Sequence, residues 1–92
     1  MQIKVVNGRV ELRQKNGILI RVVGYSNAVH AELHASGHML LILSETGKVE
    51  LRSPEGHMIK EIAPAGIKQA NFSEDKILLT TTKGLIKEFP LK

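Results

Sequence analysis

The chain has 92 residues, 42% of them hydrophobic and 24% charged, which fits one soluble globular domain spanning 1–92 and argues against intrinsic disorder. Thirteen Lys and Arg stand against nine Asp and Glu, a net charge of +4, but the basic residues are scattered from Lys4 to Lys92 and read as solvated strand faces. With no cysteine there is no disulfide or thiolate chemistry, and the longest apolar runs are far too short to span a bilayer, so a cytoplasmic protein with no membrane contact is expected.

Taken in order, the chain is punctuated at Gly8, Gly17, Asn27, Gly37, Gly47, Gly56, Gly66, Asp75 and Gly84. These residue types suit tight hairpins because they tolerate positive φ. Between them lie short segments rich in Val, Ile, Leu and Thr, and regular short strands separated by turns predict an antiparallel meander of ten strands. Residues 9–13 (RVELR) and 48–52 (KVELR) alternate, placing Val10, Leu12, Val49 and Leu51 on one face. Glu11, Arg13, Glu50 and Arg52 then fall on the other or at its rim, with one face toward water. Residues 27–37 (NAVHAELHASG) admit two readings, a short helix capped by Asn27 and stopped at Gly37 or a strand, and the strand is preferred. Residues 39–43 (MLLIL) and 77–79 (ILL) do not alternate, the pattern of a strand buried on both faces.

The segments repeat. Shifting the sequence by 39 residues lays VNGRVELRQKNGILIRVV (6–23) on ETGKVELRSPEGHMIKEI (45–62) without a gap. A third, partial copy follows, ILLTTTKGLIKEF beside LLILSETGKVEL. The stretch 67–91, with Phe72-Ser73, Asp75, the 77–79 strand, Gly84 and Phe89 at the matching places, resembles a degenerate WD40 repeat that lacks the tryptophan–aspartate pair. The resemblance implies an all-β fold of four-strand, propeller-blade-like meanders: a partial blade over 1–26, a full blade over 27–66 and a partial blade over 67–92. Closed propellers of this kind use at least four blades. Two and a half blades are therefore expected to be completed by a homo-oligomer or by the remainder of a larger propeller. Met39, Leu41, Leu43, Ile77, Leu79 and Phe89 are the interface candidates, and the loops at 24–28, 54–56 and 63–66 would face a protein partner.

Candidate chemistry is sparse. His30, His34 and His38 recur every four residues, and imidazole is a common metal ligand, so they are the place to look for a metal. No cysteine supports such a site, and polar surface is the simpler reading. Ser26, Ser36, Ser44, Ser53 and Ser73 have histidines nearby but no nucleophile-elbow motif. The Thr80–Thr82 run beside Lys83-Gly84 lacks phosphate-loop spacing. Neither catalysis nor a cofactor is expected. The function read from sequence is a scaffold or protein–protein interaction module that self-assembles through blade faces and edges. The alternative is a basic β-module that binds nucleic acid through phosphates, for which only Tyr25, Phe72 and Phe89 could stack on bases.

Overall fold

The computed structural model describes residues 2–23 and 27–91. Gly24, Tyr25 and Ser26, part of the first of the three expected partner loops, lie outside the described residues. Among the described residues ten strands run in sequence: β1 (Gln2–Val6), β2 (Arg9–Arg13), β3 (Leu19–Val22), β4 (Ala28–Leu33), β5 (Leu40–Ser44), β6 (Val49–Arg52), β7 (Met58–Ala63), β8 (Ile67–Ser73), β9 (Lys76–Thr81) and β10 (Ile86–Pro90). They form three antiparallel meanders, β1-β2-β3, β4-β5-β6-β7 and β8-β9-β10, so the fold is all-β. The ambiguous 27–37 segment is strand β4 followed by a turn. Its His30, Glu32 and Leu33 pair with Leu43, Leu41 and Leu40 of β5, and that ladder outweighs the helix propensity of Ala and Leu.

Two apolar layers hold the three sheets together, and β5 serves both. Leu40 and Ile42 pack with Val10, Leu12, Val23 and Ala28 against the first sheet. Leu41 and Leu43 point the other way and pack with Val49, Leu51, Ile67, Ala70, Ile77 and Leu79 against the third. Because successive side chains on a strand alternate faces, the unbroken apolar run is explained by a sheet on either side.

The 39-residue period is a geometric repeat as well as a sequence one. The ladder between β2 and β3 is irregular at Leu12/Arg13, and that between β6 and β7 at Leu51/Arg52. The β4–β5 and β8–β9 ladders slip at Ala28/His30 and Ile67/Gln69, again 39 residues apart. Consecutive sheets are tied by equivalent backbone bonds: Ala28 donates to the Gly8 carbonyl at 3.0 Å and Ile67 to the Gly47 carbonyl at 3.2 Å. At Gly47 (φ 85°) a Cβ would lie 2.5 Å from the Gly66 nitrogen and 2.7 Å from that of Ile67, so this crossing requires glycine on both counts.

Two findings change the expectations. Glu11 and Glu50, expected on a watered face, are each 3% exposed. Arg13 donates to Glu11 from Nε (3.0 Å) and Nη2 (2.7 Å), and its Nη1 reaches the Gly17 carbonyl (2.6 Å). Arg52 repeats the arrangement with Glu50 (3.0 Å) and the Gly56 carbonyl (2.7 Å). Each arginine thus bonds a buried carboxylate and a turn carbonyl at once, so each Glu-x-Arg pair clamps a carboxylate to a hairpin.

The second finding concerns the faces of the stack. The 39–43 run, read as buried on both faces, has the first sheet on one side and the third on the other. The end faces of the stack are mostly polar. Away from the second sheet, the first carries the pairs Gln2 with Arg13, Lys4 with Glu11 and Val6 with Arg9, with Leu19 and Val22 of β3 beside Arg13 and Glu11. On the far side of the third sheet, Leu78 pairs with Glu88 and Asn71, and Thr80 with Ile86 and Gln69. A polar outer surface on the terminal units is how stacked repeats end in water.

Candidate interaction surfaces

The histidines of β4 and its turn do not converge. His34 spends both ring nitrogens within the chain, Nδ1 at 2.8 Å from Ser36 Oγ and Nε2 at 3.3 Å from the Glu74 carbonyl. Its ring also meets Phe72 edge-on with centroids 4.8 Å apart, so it ties the β4–β5 turn to the β8–β9 hairpin. His38 is exposed in the turn, and His30 lines a hollow between β4 and β8. Among the described residues no group of three His, Asp or Glu side chains is placed to hold a metal ion.

Hydroxyls are used in turns. Ser44 accepts from the Lys48 N–H, Ser53 from that of His57 and Thr81 from that of Leu85, each four residues on. Ser36 Oγ, 2.8 Å from His34 Nδ1, also accepts from the His38 N–H within the same turn.

Of the six expected interface residues, Leu41, Leu43, Ile77 and Leu79 are covered by the chain itself and join the second sheet to the third. Met39 and Phe89 pack at the rim of that layer, partly buried. The Lys60 ammonium sits 4.9 Å above the Phe89 ring.

The large apolar side chains that do face water lie elsewhere. Ile18, Leu19, Ile20 and Val22 belong to β3 and the turn before it, Met58 and Ile59 to β7, and Leu85 and Ile86 to the start of β10; Ile86 is 71% exposed. The ninth, Val29, stands apart on β4. These three strands are the last in their sheets, each with one ladder edge unpaired. They are neighbours across the stack: Arg21 of β3 reaches the Glu55 carbonyl in the turn before β7 (3.3 Å). A groove between β7 and β10 is lined by Ile59, Lys60, Phe89, Pro90 and Leu91 above Leu51. The result is an apolar stripe across three open edges. Sequence reasoning missed it, although its signal was present: ILI, MI and LI each follow closely on a turn glycine, at Gly17, Gly56 and Gly84.

Several cations are already engaged. Arg9 and Arg13 pair with Glu11, Lys48 with Glu50 and Glu61, Arg52 with Glu50, and Lys76 with Glu88. Five of the thirteen Lys and Arg are thereby held in local ion pairs with Glu11, Glu50, Glu61 and Glu88.

No protein-family model matches the chain, and no curated protein matches it.

Proposed function

We propose that this chain is a non-catalytic, β-propeller-like interaction module that associates with further copies of itself through the open edges of β3, β7 and β10. The observation that carries this reading is the concentration of exposed apolar side chains on those three outer strands. Soluble proteins rarely combine an unpaired ladder edge with an apolar surface unless something covers it. The repeated blade-like meanders, joined by the same inter-sheet bonds and ladder slips, support the propeller-like part of the reading.

The end faces are mostly polar on β1, β2, β8 and β9, so the expected contact centres on the outer strands β3, β7 and β10. Covering an apolar patch of the usual functional size, roughly 300–600 Å², contributes about 7–15 kcal/mol at ~25 cal/mol per Å². Association costs on the order of 4–15 kcal/mol in lost freedom. The two nearly balance, so assembly should be weak and concentration-dependent.

Hydrogen exchange at two protein concentrations tests the contact. Raising the concentration should slow exchange at amides of β3, β7 and β10 and leave β1 and β2 unchanged. Uniform exchange at both concentrations would remove the edge contact.

A further inference from the structure

A hollow of about 250 Å³ opens between β4 and β8, floored by Leu43 and Ala70 and walled by His30 and Lys68 among others. It lies where both ladders slip, at Ala28/His30 and Ile67/Gln69, so the strands part locally. Neither His30 nor Lys68 makes a side-chain hydrogen bond or ion pair among the described residues.

The edge of β8 already holds one oxyanion. The Phe72 N–H points away from β9 and donates to Glu32 Oε1 of β4 at 2.9 Å. In an antiparallel ladder N–H groups alternate sides every residue, so the Ala70 N–H, two residues back, points to the same open edge. On β4, His30 stands two residues before Glu32 and therefore on the same face. Glu32 closes the edge at Phe72, and at Ala70 the hollow takes its place. Two side-chain donors, an imidazole and a lysine amine, flank it over an apolar floor, with no carboxylate in its lining.

We propose that this hollow binds an oxyanion, a carboxylate or phosphate group of a small ligand, with Lys68 as counter-charge and His30 and the Ala70 N–H as hydrogen-bond donors. The site is independent of the edge association, since it uses β4 and β8 rather than β3, β7 and β10.

Titration of the isotope-labelled protein with inorganic phosphate and, separately, with acetate tests it by amide NMR. The amides of His30, Lys68 and Ala70 should shift together and saturate, with a dissociation constant on the order of 1–10 mM for so open a site. Lys68→Ala and His30→Gln should each weaken binding about tenfold, the usual loss for a charge-assisted hydrogen bond. Lys83→Ala, on an exposed turn, should leave it unchanged. Tighter binding of phosphate would assign a phosphorylated ligand, and tighter binding of acetate a carboxylate. Shifts that never saturate, that spare Ala70, or that persist unchanged in Lys68→Ala would overturn the proposal.

Discussion

Gly47 and Gly17 both hold positive φ, at 85° and 90°, but they differ in surroundings. Nothing lies within 4 Å of a Cβ at Gly17, whereas one at Gly47 would strike the backbone of Gly66 and Ile67. Gly17→Ala should therefore cost about 1 kcal/mol, the left-handed penalty alone. Gly47→Ala should cost more, upward of ~2 kcal/mol, because the inter-sheet bond at Ile67 must also move. Urea denaturation of the two variants measures the difference. Glu50 is the second informative residue, since Glu50→Ala would strip the carboxylate from Arg52 and Lys48 in a nearly dry position. A loss of about 1–3 kcal/mol is expected, in the range for an unmatched hydrogen-bonded charge, with Glu50→Gln milder. Lys76 is exposed and acts differently. The hydrogen bond and charge of Glu88 raise its pKa above the ordinary 10.5. A raised pKa in the fold stabilises below the unfolded value and ceases to do so as pH rises through the folded one. Any stability difference between the parent and Lys76→Met should then be present at neutral pH and fade above pH 10.5, which denaturation across that range would show.

At the scale of the element, β5 is the keystone because its two faces serve different neighbours. Leu40→Ala should loosen the first sheet and Leu41→Ala the third, each costing about 2–5 kcal/mol as buried Leu truncations do. Native-state hydrogen exchange would separate them, with faster opening in β1–β3 for the former and in β8–β10 for the latter. Much of this was legible in the sequence. The turn glycines marked the hairpins, and the 39-residue period marked the repeat of RVELR as KVELR. The doubly buried run 39–43 pointed to two covering sheets. What stayed illegible depended on partners distant in sequence. Strict alternation cannot show that Glu11 and Glu50 are buried with an arginine partner each. Nor could it show that the chain itself would cover Leu41 and Ile77. The outer stripe was missed because the same residues on an inner strand would have been ordinary core.

At the scale of the molecule, three sheets shield each other's inner faces, present mostly polar ends and leave three outer edges open. Replacing Ile59 and Ile86, 50% and 71% exposed, by glutamate should leave the fold intact, since neither belongs to a buried cluster. The same charges on unpaired edges should oppose association. The most direct test is solution mass by light scattering over a range of concentrations. The account predicts a mass above 10.2 kDa that climbs with concentration for the parent chain and stays at 10.2 kDa for Ile59→Glu/Ile86→Glu. A parent chain that remains a 10.2 kDa monomer throughout, or assemblies indifferent to the two charges, would contradict it.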